Sequence, residues 1–332
     1  MASEAHDSQP LEADTDGDDE SGYSSTLATS TQSLSQSVVD YVYENGRRYH
    51  RFQEGQYMLP NDETEQDRLD LYHHLQLLSL HGELCMAPIK NPQRILDCGT
   101  GTGIWALDAG EVFPSAEVIG VDLSPIQPEW VVPNVRFEVD DLELDWTYRA
   151  DDFDFIHSRN IAQSIKDWPR YVSQMFTHTK PGGYIELAEA MMSLDCDDHT
   201  HAGSAIEGLG KKFEKALVAA GLILPSGAAL KKYAEDAGFV DVVVHDIKQP
   251  WGPWPKNPEM KKVGQIMALT AVTGLESYAM APMTRVLGMK PEDVQMECAK
   301  SVAEVNSRKV HVYQHMLHIV GRKPETEKIE TK

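Results

Sequence analysis

Residues 97–103 read Asp97-Cys98-Gly99-Thr100-Gly101-Thr102-Gly103, and this run decides the fold. The five residues 94–98 (RILDC), which overlap its start, form a short apolar strand, and residues 104–113 continue with helical spacing. A glycine-rich turn between a buried strand and a helix lets a ligand approach backbone that a Cβ would block. The helix that follows offers free N–H groups and the positive end of its dipole, so one part of the ligand is anionic.

The spacing identifies what else the ligand carries. A pyrophosphate-binding turn has G-x-G-x-x-G; here the third glycine, Gly103, comes one place early and Ile104 stands where that pattern has glycine. Asp97 would repel a pyrophosphate but would welcome an ammonium group. A ligand with a carboxylate for the loop amides and an amino group for Asp97 is S-adenosylmethionine. Asp122 follows at roughly the ~20-residue offset of a ribose-binding acid, at the end of the next strand, with two oxygens for two hydroxyls. Asp140 and Asp141 close a third strand, where a carboxylate can accept from an adenine amino group. Leu123, Leu142 and Trp146 are candidates to flank the ring. The expected cofactor residues are therefore Asp97, Gly99, Thr100, Gly101, Gly103, Asp122, Leu123, Asp140, Asp141 and Leu142.

Working outward, residues 116–122, 135–139, 153–157 and 184–187 read as strands, the last after the turn Lys180-Pro181-Gly182-Gly183. Helices fall between them and later at 207–220 and 228–237, with strands at 239–247 and 316–321. Alternation of this kind predicts an α/β, Rossmann-like fold with a largely parallel sheet covered on both faces. The expected divisions are an acidic, Ser-rich disordered tail (1–38), an N-terminal helical flap (39–90) and a core (91–248). A helical insertion (249–312), a final core strand (313–323) and a disordered tail (324–332) complete the chain. Within the flap, Asp62 can cap a helix over 63–81 that places Leu69, Tyr72, Leu75 and Leu78 on one side.

Composition bounds the function. In 332 residues, 41% hydrophobic, the net charge is −22. Residues 1–46 hold ten acids and no Lys or Arg, which leaves 42 acids against 30 bases in the remainder. Such a surface repels phosphate backbones and anionic membranes, so neither nucleic acid nor membrane is an expected partner. The four cysteines are scattered without a CxxC pair and read as reduced thiols. No apolar run approaches the ~18 residues of a spanning helix, and no signal-peptide pattern opens the chain. The expected location is cytoplasmic, with the nucleus as the alternative.

Residues 49–70 (YHRFQEGQYMLPNDETEQDRLD), the loop DCGTGTGIW, Asp122-Leu123-Ser124-Pro125-Ile126-Gln127-Pro128, FDFIH with Arg159, and KPGGYIE together resemble the fungal LaeA-like methyltransferases. The similarity spans about residues 41–322. It departs from the family in small ways, with Tyr184 where Trp is common and Cys98 at a position often aliphatic. The resemblance implies a seven-stranded class I sheet whose last strand is antiparallel, and an N-terminal segment closing over the cofactor. It implies either a tailoring enzyme acting on a small, apolar, natural-product-like acceptor or a nuclear regulator of secondary-metabolite genes working through protein partners.

Methyl transfer from a sulfonium is an in-line displacement in which placement does much of the catalysis. Strand ends face the ligand in such sheets, which makes His157 the candidate base, with a structural histidine as the alternative. Glu186 and Glu189 are candidates to orient the acceptor, and Arg159 can pair with an acidic substrate or with Glu186. Tyr49, Arg51 and Tyr57 are candidate flap contacts. Residues 195–201 (DCDDHTH) are rich in metal-ligand types but are adjacent rather than at coordinating spacing, so no metal is expected. His311, His315 and His318 read as surface or core-edge residues. Trp251, Trp254, Tyr278, Met280 and Met283 form an expected apolar wall able to repack around a hydrophobic ligand.

Overall fold

The computed structural model describes residues 41–50, 58–222 and 224–325. Both expected disordered tails fall outside them, except for residues 324–325.

The segment expected as a helical flap opens instead with a hairpin, β1 (Tyr41–Glu44) and β2 (Arg47–His50). Asn45 and Gly46 both take positive φ between the strands, the turn an Asn-Gly pair favours. Helix α1 (Glu63–Ser79) follows, and Asp62 caps it by accepting from Glu65 N. Tyr72, Leu75 and Leu78 pack as expected, against Val263 and Met267. The helix also buries a polar set, Glu65, Arg68, His73 and Gln76, that an apolar-spacing argument does not see.

The core sheet is built from β3 (Arg94–Cys98), β4 (Glu117–Asp122), β5 (Val135–Val139), β6 (Phe153–Arg159) and β7 (Thr179–Asp195). Strands β8 (Val240–Pro250) and β9 (Tyr313–Arg322) complete it. Among the described residues it has seven strands in the order β5-β4-β3-β6-β7-β9-β8, and β9 runs antiparallel to both neighbours. β7 is longer than expected because Lys180-Pro-Gly-Gly interrupts its register with β6 without ending the strand, and pairing with β9 carries it on to Asp195.

The helices are α2 (Ile104–Val112), α3 (Trp168–His178), α4 (Ala205–Ala219), α5 (Gly227–Ala237), α6 (Pro258–Ala281) and α7 (Pro291–Ser307), with a π-helical turn at Pro282–Val286. Strand alternation sorts the core onto two faces. Leu96, Cys98, Ile119 and Ile156 meet α3 and α5 through Trp168, Met175 and Leu230. Ile95, Val118 and Phe155 meet α2 through Trp105, Ala106 and Ala109. The expected insertion is α6, the π turn and α7, and α6 lies against α1. No described helix is long and apolar enough to cross a membrane.

Candidate active site

The carboxyl ends of β3, β4 and β6 open into one cavity. Asp97, at the end of β3, divides its carboxylate: Oδ1 meets His157 Nδ1 at 2.7 Å, and Oδ2 accepts from Thr100 Oγ1 at 2.6 Å. His157 is the residue paired with Asp97 across β3 and β6, and its ring stacks on Trp105. Asp122 ends β4 and anchors the glycine loop, accepting from Gly101 N at 2.8 Å and Ser124 N at 2.9 Å. A carboxylate has about four lone-pair sites, so acceptor capacity remains. Burial pushes the Asp122 carboxyl up to about 6.

All three loop glycines have positive φ, but they do different work. A Cβ on Gly99 would overlap Ile161 and one on Gly103 would overlap the Phe137 ring, so these two serve close packing. A Cβ on Gly101 would touch only Leu69, at 3.7 Å.

Of the residues expected to bind the cofactor, Asp97, Gly99, Thr100, Gly101, Asp122, Leu123, Asp140, Asp141 and Leu142 all line this cavity. Gly103 does not; it is the N-cap of α2, facing Phe137. Trp146 does not either: its indole packs against Tyr171 and His178 and donates to Leu142 O. Helix α1 brings the expected Leu69 and Tyr72 to the wall, and with them Glu65 and Arg68, preceded by Asn61, which the sequence did not mark. Asn61 Nδ2 is buried without a hydrogen-bond partner among the described residues. Arg68 is held by Glu65 through three contacts of 2.6–3.1 Å and lies over the Tyr278 ring. Burial opposes its charge, but Tyr278 and Glu65 outweigh it and the Arg68 pKa is raised. Polar side chains buried at helical positions carry no apolar periodicity, so no pattern in the sequence marked them.

Glu186 is not brought to the cavity. It is buried on β7 beside β9, accepting from Met86 N, Ala87 N and His318 Nδ1, each at 2.8 Å. Burial alone would raise its pKa, yet the His318 hydrogen bond and neighbouring charges hold it below the usual value. His318 is thus a core residue and not a surface one, and no salt bridge joins Glu186 to Arg159 among the described residues. Arg159 does line the cavity. Tyr49 is buried with Met58 and Ala281, with Arg285 over its ring, and is not among the residues that line the cavity; Arg51 and Tyr57 lie outside the described residues. In the segment 195–201, Asp195 pairs with His315 and Asp198 with His311. Among the described residues no three such side chains are grouped as a metal site would need.

A second cavity adjoins the first, and Arg68, Tyr72, Asn160 and Tyr278 line both. Its walls are largely apolar, with Met191, Met192, Leu209, Phe213, Trp251 and Met267 among them. Of the expected wall, Trp251 and Tyr278 are present. Met280 and Met283 instead seal α6 onto α4 and α7, and Trp254 packs against His311. Glu189 lies in this second cavity, 1% exposed, accepting from Ile161 N at 2.9 Å and Ala162 N at 3.3 Å. Burial pushes it up to about 8.

The sequence family described as "Methyltransferase domain" matches residues 69–244, from α1 into β8. The methyltransferase pytC of Aspergillus terreus is 41% identical over 303 residues, covering 89% of this chain and 92% of that one. The secondary metabolism regulator LAE1 of Cochliobolus heterostrophus is 37% identical, covering 85% of this chain and 94% of its own length. The protein-methionine methyltransferase laeA of Emericella nidulans is 35% identical, with 85% and 76% covered. The strand order, the acid-flanked glycine loop and these relatives agree: the chain belongs to the LaeA-like family of class I S-adenosylmethionine-dependent methyltransferases.

Proposed function

We propose that the first cavity holds S-adenosylmethionine and that the second holds a small, largely apolar, natural-product-like acceptor of secondary metabolism. The observation that carries this reading is the junction: four residues wall both cavities, so ligands in the two would meet there. When bound, the cofactor supplies an electrophilic methyl group on a sulfonium. The first cavity fits it chemically. Asp122 retains lone pairs for ribose hydroxyls, and Asp97 supplies a negative charge for an ammonium. The unpartnered Asn61 Nδ2 supplies a buried donor, and Asp140 and Asp141 are within the same wall for the adenine end.

His157 works on Asp97 in this reading. It is 2% exposed, hydrogen-bonded to Asp97 and absent from the acceptor cavity, which makes it a positioning residue and not the base. Glu186 supports the sheet. The tyrosines at the junction, Tyr72 and Tyr278, have raised pKa values caused by burial, Tyr72 reaching about 12, so both present neutral hydroxyls there. Placement of the acceptor is then the main contribution of the protein to the displacement.

Gly210, on α4, separates the two halves of this proposal. It lines the acceptor cavity, and a Cβ there would meet nothing within 4 Å. Gly210→Phe should fill the acceptor cavity while calorimetric binding of S-adenosylmethionine stays as in the wild type. Comparing extracts of producing cells by mass, the product heavier by one methyl group should disappear. An unchanged metabolite profile in the variant would refute the acceptor assignment and favour action on a protein partner.

A further inference from the structure

Arg159 is the last residue of β6, two positions beyond His157, and it lines the first cavity together with Asp97. Its only hydrogen bond among the described residues is from Nη2 to His73 Nδ1, at 3.1 Å. No carboxylate among the described residues lies within salt-bridge distance of it. Asp97, on the adjacent strand, is the largest charge acting in its favour, but it acts from beyond salt-bridge distance. A cation taken out of water without a counter-ion is costly, and guanidinium cannot shed its proton to escape that cost.

The partner of Arg159 is itself fixed. A guanidinium has donors only, so His73 Nδ1 must accept and the ring proton must sit on Nε2. That nitrogen donates to Asp108 Oδ2 at 2.9 Å. His73 is 0% exposed on α1 and Asp108 lies on α2. Burial, followed by the Arg159 charge, lowers the His73 pKa to about 4, against the pull of Asp108. The imidazole therefore stays neutral at ordinary pH and orients the guanidinium without repelling it.

A buried acid and a partly buried base, close in space but not paired with each other, suit a ligand that carries both charges. We propose that Arg159 grips the carboxylate of the cofactor's amino-acid end while Asp97 takes its ammonium, with His73 and Asp108 as positioning residues that hold the guanidinium in place. The inference rests on the cofactor reading above and adds which charged group recognises the carboxylate. A guanidinium fork meets a carboxylate with two parallel hydrogen bonds, which a point charge cannot do.

The test uses the full chain and two nucleosides, S-adenosylhomocysteine and 5′-deoxy-5′-methylthioadenosine. Both carry the adenosine and the sulfur, and only the first carries the amino-acid end. Arg159→Gln should weaken S-adenosylhomocysteine by about 10- to 100-fold in calorimetry, the range of charge-assisted hydrogen bonds, and leave methylthioadenosine unchanged. Arg159→Lys, which keeps the charge and guards against a folding defect, should recover part of that loss. His73→Phe should weaken the first ligand selectively and by less. A merely structural role would move both ligands alike, and that result, or no change in either, overturns the proposal. If the wild type binds neither nucleoside, the cofactor assignment itself has failed; if it binds both equally, only this inference has.

Discussion

The imidazole of His157 lies on the indole of Trp105, with ring centroids 3.8 Å apart and planes 8° from parallel. Trp105 belongs to the first turn of α2, so the helix that follows the glycine loop also fixes the histidine that orients Asp97. His157→Phe keeps a ring for the stack and removes the hydrogen bond. Its expected signature is a roughly tenfold or greater loss of cofactor affinity, the size of a hydrogen bond to a charged group, with little change in melting temperature. His157→Ala should lose both. Wild-type affinity in His157→Phe would remove the histidine from the site.

Cofactor affinity should depend on pH through Asp122. Ribose hydroxyls donate to the charged carboxylate, whereas burial has raised the pKa of the group to about 6. Below that pH a proton must leave before the ligand can be gripped, so affinity falls as pH drops through 6, by up to about tenfold per unit. Titration calorimetry between pH 5 and pH 8 should show this slope in the wild type, and Asp122→Asn should bind weakly with the slope abolished.

Glu189 makes a separate statement about stability. Its pKa rises from 4.5 to about 8 in the folded protein, so the folded state holds a proton that the unfolded chain has released. The stability it contributes is fully present below 4.5, declines as pH rises toward 8, and is gone above 8. Melting curves should therefore show the wild type losing ground to Glu189→Gln across that window and holding a constant difference at higher pH. A difference independent of pH would mean that the carboxyl is solvated.

Gly103→Ala should be poorly tolerated although Gly103 does not touch the cavity. Its φ is +83° and a methyl group there would overlap the Phe137 ring. Left-handed strain costs about 1–3 kcal/mol and overpacking a similar amount. Gly101→Ala, with φ +58° and only Leu69 nearby, should carry the strain without the overlap. Urea denaturation of the two variants should place Gly103→Ala lower.

Much of the site was legible because its chemistry is local. The loop 97–103 states its own turn, and Asp122 and Asp141 stand at strand ends that alternation locates within a residue or two. The hairpin at residues 41–50 is also written in the sequence, in the Asn45-Gly46 pair that favours its turn, although the segment was expected to be helical. Long-range facts were not legible. Nothing near Glu186 in the sequence says that His318, 132 positions away, will take its carboxylate.

The sequence by itself determined the parallel sheet, the glycine loop and the cofactor it suits, since each follows from spacing within one strand–turn–helix unit. Only the tertiary structure decided what the acids and bases around that loop face. Register placed His157 on Asp97, and α1 brought His73 to Arg159 and Arg68 to Tyr278. Those pairings depend on how whole elements pack, and a side chain's charge carries no record in its own neighbourhood of the distant group that will meet it.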